Sequence, residues 1–167
     1  MLTFVSSRFT NDTWNENELY RLRSEFTGCI YGAPQQMSPK IDAKSLVFVI
    51  EMNNSQNKIM GIGLVRNLHV TNKTYKIYDN GNFNRYIFVG KYRIDRTDLS
   101  SELLQILDHI LFKERTHLKR GAGMTTIPEK LFQHDKCCEC NIKQEIIDTF
   151  LKKFDMKNVE EYKEFSR

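Results

Sequence analysis

The chain has 167 residues, 40% of them hydrophobic and 28% charged, with a net charge of +4. That is enough for one domain with its own core and too few for two comfortable ones. No run of about 18 apolar residues occurs, so no membrane-spanning helix is expected. MLTFVSSRFTND also lacks a basic segment followed by a long apolar core, so no secretory signal is expected.

Thr3 to Ser7 reads as a short apolar strand. Thr13 with Glu16 has the T-x-x-E pattern of a capping box, and Leu19, Leu22 and Phe26 then recur at helical spacing, so a helix is expected there. Gly28 to Pro39, punctuated by Gly32, Pro34 and Pro39, reads as a long, partly rigid loop. Lys44 to Asn67, KSLVFVIEMNNSQNKIMGIGLVRN, is the most informative stretch. Two runs with period-2 alternation flank a turn rich in asparagine, which predicts a β-hairpin. Its Gly61 and Gly63 allow a bulge, or the close approach of another chain or a ligand.

Asn72 to Asn84 is a polar, aromatic-bearing loop turning at Asp79, Asn80 and Gly81. Arg85 to Ile94 alternates as a strand, with Gly90 as a candidate bulge. Asp98 is placed to cap a helix whose apolar face is Leu99, Leu103, Ile106, Leu107 and Ile110. A basic glycine-rich turn follows, then a short strand at Met124 to Ile127 and a terse helix or turn opened by Pro128. Ile142, Ile146, Phe150 and Phe154 define the stripe of a C-terminal helix. This order of elements predicts a mixed α+β fold.

Four cysteines are present, and three of them crowd together as Cys137, Cys138 and Cys140. Such close neighbours pair poorly with one another, so a disulfide framework is not expected and an intracellular compartment, nucleus or cytoplasm, is. With His134 they resemble zinc ligands in type and spacing. Adjacent cysteines reach one tetrahedral ion only with strain, however, and the second ligand pair of a finger is missing, so no bound metal is expected. The charge permits a polyanionic partner without requiring one. Arg85, Lys91, Arg93 and Arg96 lie in or beside one predicted strand, while Lys119 and Arg120 precede Gly121, Ala122 and Gly123.

Four segments, in order, resemble the PUA-like superfamily, particularly its YTH, EVE and ASCH branches. FVSSRFTNDTWNENELY is similar to the opening strand, corner and helix, with serine-arginine where YTH domains usually have lysine-serine. LVFVIEMNNSQNKIMGIGLV is similar to the central hairpin, RYIFVGKYRIDRTDL to the later strand that turns into a helix, and HLKRGAGMTTIPEKLF to the closing strand. The resemblance covers roughly residues 1 to 132. It implies a small β-barrel or strongly curved sheet flanked by helices, with residues 133 to 167 a helical extension packed on the same domain. It also implies a pocket beside the first strand and helix that binds nucleic acid, often a modified base. YTH readers cage methyladenine with tryptophans, whereas this chain has Trp14 alone; Tyr31, Tyr78 or Phe83 would have to supply other stacking faces.

The expected function is a non-catalytic nucleic-acid reader, binding RNA or DNA as a single-stranded or flipped nucleotide, without cofactor or membrane. Ser6, Ser7, Arg8, Asn11 and Asp12 at the first corner would hydrogen-bond a base edge. Trp14 and Tyr31 would stack, and Gly61 and Gly63 would let the nucleotide approach. Arg85, Lys91, Arg93, Lys119 and Arg120 would contact phosphates. Two other readings remain open. Arg120 to Gly123 superficially matches the coenzyme loop of acyl-CoA-dependent N-acetyltransferases, which must open a long helix. The amphipathic C-terminal helix also suits a protein-interaction module.

Overall fold

The computed structural model describes residues 2–113, 115, 117–133 and 141–163. His134, Cys137, Cys138 and Cys140, and with them the zinc question, lie outside the described residues. The fold is α+β. Its strands are β1 (Thr3–Phe9), β2 (Cys29–Ala33), β3 (Leu46–Asn53), β4 (Lys58–Arg66), β5 (Tyr86–Gly90), β6 (Tyr92–Asp95) and β7 (Met124–Thr126). Its helices are α1 (Asn11–Arg23), α2 (Ser101–Asp108), α3 (Glu129–Phe132) and α4 (Ile142–Lys153). Among the described residues, the strands form a five-stranded mixed sheet in the order β6-β4-β3-β1-β7 and a separate β2-β5 pair. β1 runs parallel to β3; the other pairings are antiparallel. No helix among them is long and apolar enough to cross a membrane.

Alternation along the strands divides the molecule into two cores. Phe4, Phe48, Ile50, Ile62 and Leu64 point to one face and meet Leu103 and Leu107 of α2 and Ile146 and Phe150 of α4. Val5, Val47, Val49 and Val65 point to the other, where they meet Ile30, Ile87 and Phe88 of the β2-β5 pair and Trp14 of α1. Each such side chain taken out of water stabilises the fold by about 1.5–3 kcal/mol. The hairpin, the strand at Met124 and the C-terminal stripe are therefore as the periodicity indicates, except that Phe154 is only partly buried.

Several local expectations are corrected. Gly28 to Pro39 is not all loop, since Cys29–Ala33 pairs with β5 residue for residue. The α1 cap is Thr10, whose hydroxyl accepts from Thr13 N–H while Thr13 Oγ1 accepts from Thr10 N–H; Glu16 plays no part in it. The leucine stripe of α1 does not dock, because Leu19 and Leu22 are 57% and 69% exposed. The helix instead buries Trp14 and Asn17. The Asn17 amide donates to Ile30 O at 2.7 Å and to the Tyr78 hydroxyl at 3.0 Å. Ser100, not Asp98, caps α2, and Asp98 lies in the preceding 3-10 turn.

Candidate functional site

β1 ends where α1 begins, and a cavity of about 310 Å³ opens at that corner, at the small end of the range for ligand sites. Ser7, Arg8 and Phe9 reach it from β1, with Thr10 and Thr13 from the helix entry. Gly32 and Pro34 border it at the end of β2. Tyr78 and Phe83 supply aromatic rings, and Asn54 comes from the β3-β4 turn. Gly121, Ala122 and Gly123 form a further wall. The two rings meet edge to face, with centroids 6.1 Å apart. The Tyr78 ring is buried, and burial holds its phenol neutral by pushing the pKa up, although the bond from Asn17 opposes this.

The glycine wall is a strap tied down by side chains. Arg8 Nε donates to Leu118 O at 2.6 Å and Nη1 to Gly123 O at 3.0 Å, while Nη2 bonds Thr125 Oγ1. Asn54 Nδ2 donates to Lys119 O at 2.8 Å, and Gln35 Nε2 donates to Ala122 O at 3.1 Å. Gly121 and Gly123 have φ of +116° and +71°, a region that glycine enters without a Cβ penalty. This route leads into β7, a strand, so the helix that an acetyltransferase loop must open is not there.

Arg8 has no carboxylate among its described partners, and burial lowers its pKa from the ordinary value. Its guanidinium stays charged nonetheless. The cavity wall therefore carries a cation that no acid of the described chain neutralises. Asn54 is also left incomplete: its backbone N–H bonds Phe9 O, yet its buried Oδ1 has no hydrogen-bond partner among the described residues.

Of the residues expected at the nucleotide, Ser7 and Arg8 line this cavity, together with Tyr78 and Phe83 of the alternative stacking faces. Ser6 is fully buried, its hydroxyl 3.4 Å from Thr125 Oγ1, and does not line the cavity. Asn11 ties the start of α1 to the hairpin turn through Ser55, Asn53 and Gln56, and Asp12 is exposed. Trp14 is a core residue, edge-on to Phe9 and with the guanidinium of Arg93 5.5 Å from its ring centroid.

Tyr31 is corrected from loop to strand. It lies in β2, 2% exposed, and its hydroxyl donates to Glu51 Oε1 at 2.7 Å, so it presents no face to the cavity. Arg93 is likewise no free cation. It pairs with Glu51 through two bonds of 2.9 and 2.7 Å. Burial alone would lower the Arg93 pKa, but the Glu51 charge and hydrogen bonds outweigh it and hold it raised.

This buried network explains the two hairpin glycines. A Cβ on Gly63 would lie 2.2 Å from the Tyr31 hydroxyl, and one on Gly61 would lie 2.6 Å from Arg93 Nη2. The glycines clear a lane for internal side chains instead of opening a path for a ligand. Nearby, burial and the Glu51 charge push the Cys29 thiol up to about 12, leaving it inert.

Of the remaining basic residues, Lys119 is half-buried and Arg120 exposed, next to the strap. Arg85 is exposed, two positions after Phe83. Lys91 follows Gly90, which pairs with Cys29 at the far end of the β2-β5 ladder from Gly32. Sequence reasoning missed Phe9, Thr10, Thr13 and Asn54. The signal for Asn54 was faint: a hairpin turn with two consecutive asparagines has one more amide than its own turn bonds use. No protein-family model, no curated protein and no solved structure matches the chain.

Proposed function

We propose that this protein is a non-catalytic nucleic-acid reader of PUA-like architecture that takes one single-stranded or flipped nucleotide, from RNA or DNA, into the cavity at the end of β1. The finer fold reading rests on the resemblance, together with the β2-β5 pair packing its side chains against one face of the five-stranded sheet. The observation that carries the function is the pairing of chemistries in one cavity: aromatic rings at Tyr78 and Phe83, and an Arg8 guanidinium that meets no carboxylate among the described residues. A base needs a π-face to stack on and hydrogen-bonding groups to read its edge. Lys119, Arg120 and Arg85 would meet the flanking phosphates; Arg120 and Arg85 are exposed and Lys119 is half-buried. Tyr31, Arg93, Gly61 and Gly63 have no part in this reading, because each is occupied inside the protein.

A titration with short RNA and DNA single strands across salt, alongside acetyl-CoA, tests it. The logarithm of the binding constant for an oligonucleotide should fall linearly with log salt, with a slope of about −0.7 per phosphate contacted. Phe83→Ala should weaken binding by about 1–3 kcal/mol if a base stacks there. Lys119→Ala with Arg120→Ala should flatten the salt slope while base preference stays the same. No binding of any oligonucleotide at low salt, or binding of acetyl-CoA instead, would sink the proposal.

A further inference from the structure

The walls of the cavity differ in how they are held. β1 pairs with β3 from Thr3 to Phe9, and β2 with β5 from Cys29 to Ala33. The loop carrying Tyr78 and Phe83 is laced by Asn84, whose side chain accepts from the Ile77 and Tyr78 N–H groups and donates to Tyr78 O. The strap has no such ladder. Leu118 N–H bonds Leu111 O, and pairing with β1 begins at Met124; between them, among the described residues, no backbone–backbone hydrogen bond holds residues 119–123.

Arg8 pins both ends of this stretch, Nε at Leu118 O and Nη1 at Gly123 O, so the chain leaves one guanidinium and returns to it. Loops of this size with their ends brought together are compact and frequently functional. Between the pinned ends, the strap carbonyls are held by two side-chain bonds, Asn54 to Lys119 O and Gln35 to Ala122 O, and Gln35 is exposed. Breaking those two bonds lifts residues 119–122 and leaves every strand pairing around the cavity intact. Moving β1 or β2 instead would unpair a ladder. Lids and binding loops are drawn from such weakly held segments.

Resting on the reader proposal above, we propose that residues 119–122 are the gate of the cavity, and that the nucleotide enters when this stretch swings out on its Arg8-pinned ends. The closed cavity, about 310 Å³, is at the small end for ligand sites, and Gly121 and Ala122 are the walls that withdraw. When only the open form admits the ligand, the apparent affinity is the intrinsic one scaled by the fraction of molecules that are open. The Gln35 bond therefore works against binding. Removing it should make the protein bind faster and tighter, the reverse of what loss of a supporting wall would do.

The test compares Gln35→Ala with the parent as full chains. Gln35 lies outside the cavity walls, so the substitution removes a fastener and no ligand contact. Association and dissociation of short mixed-sequence single strands, RNA and DNA, are read by stopped-flow anisotropy. Tryptic cleavage at Lys119 and Arg120, resolved by mass spectrometry without ligand, follows the open population independently. Association should quicken roughly 2–10-fold, the equilibrium worth of one neutral hydrogen bond. Cleavage should rise by the same factor while dissociation stays unchanged. Gln36→Ala, at the exposed neighbouring position, should alter neither. Faster cleavage with unchanged or slower association would overturn the gate and leave a reader in place. So would unchanged cleavage in Gln35→Ala, or an equal gain in Gln36→Ala. Failure of every strand to bind would remove both proposals.

Discussion

Arg8 and Arg93 look alike in the sequence: each lies near the end of a strand among β-formers. Their surroundings separate them. Arg93 meets Glu51 through a two-pronged bond, with the Tyr31 hydroxyl on the same carboxylate and Trp14 over its charge, so its positive charge is spent inside the protein. Arg8 is held by two carbonyls and a hydroxyl, which fix its position, and no carboxylate among the described residues pairs with it. The contrast teaches that a cation's availability depends on its partners more than on its exposure. Arg93 serves the fold, whereas in the proposed reading Arg8 serves a ligand.

The sharpest way to break this comparison is on the Arg93 side. Glu51→Gln removes the carboxylate and strands a guanidinium whose side chain is 10% exposed. Breaking a buried pair from one side costs about 3–5 kcal/mol, so the urea midpoint should fall steeply. Replacing both partners with apolar residues, Glu51→Leu with Arg93→Met, should recover most of that loss. A midpoint unchanged by Glu51→Gln would mean that Arg93 is not neutralised as described.

Gly63→Ala comes next. Its methyl would sit 2.2 Å from the Tyr31 hydroxyl and 2.7 Å from Cys29 Sγ, both fixed in β2. Overpacking of this kind costs about 1–3 kcal/mol. Thermal unfolding should show the loss, whereas oligonucleotide affinity measured well below the transition should hold. A fall in affinity without a fall in stability would return Gly63 to the ligand's path.

These two residues also show why the site was only partly legible. The hairpin itself was plain, because alternating β-branched and aromatic residues around an asparagine-rich turn leave few other folds. What its glycines were for was not, because the side chains that fill their space come from β2 and β6, about 30 residues away on either side. Tyr31 was misplaced because glycine and proline around it outweighed the strand-forming Cys29, Ile30 and Tyr31, whose partner strand lies more than 50 residues on. Ser7 and Arg8 were legible because the corner between a strand and a helix is local. Asn54 was not, because its burial follows from the distant strap at Lys119.

On the Arg8 side the effects are smaller in stability and fall on the cavity. Arg8→Met should weaken oligonucleotide binding by about 1.5–2 kcal/mol, the lower part of the range for hydrogen bonds to charged groups. It also frees Leu118 O and Gly123 O, so amide hydrogen exchange across residues 119–123 should speed up while the β3-β4 hairpin stays protected. Faster exchange with unchanged binding would make Arg8 a strap fastener alone.

The smallest effect separates Arg93's second acidic neighbour from its first. Asp95 lies 3.4 Å from Arg93 and accepts bonds from the Thr97 N–H and hydroxyl. Burial would raise its pKa, but the Thr97 bonds and the Arg93 charge prevail and hold it below the ordinary value. Because the folded pKa is the lower one, Asp95 contributes stability above its unfolded value of about 3.9. That contribution is lost as pH falls through the folded pKa. Asp108 acts in the opposite sense: burial raises its pKa even though it accepts a bond from the Ile59 N–H, so its ionisation costs stability as pH rises. Urea midpoints at pH 6 and pH 3 should therefore differ less in Asp95→Asn than in the parent, and more in Asp108→Asn. With Asp95 47% exposed, its share stays within about 1 kcal/mol, as for other exposed ion pairs. An Asp95→Asn drop as large as that of Glu51→Gln would mean that the carboxylate neutralising Arg93 is Asp95, not Glu51.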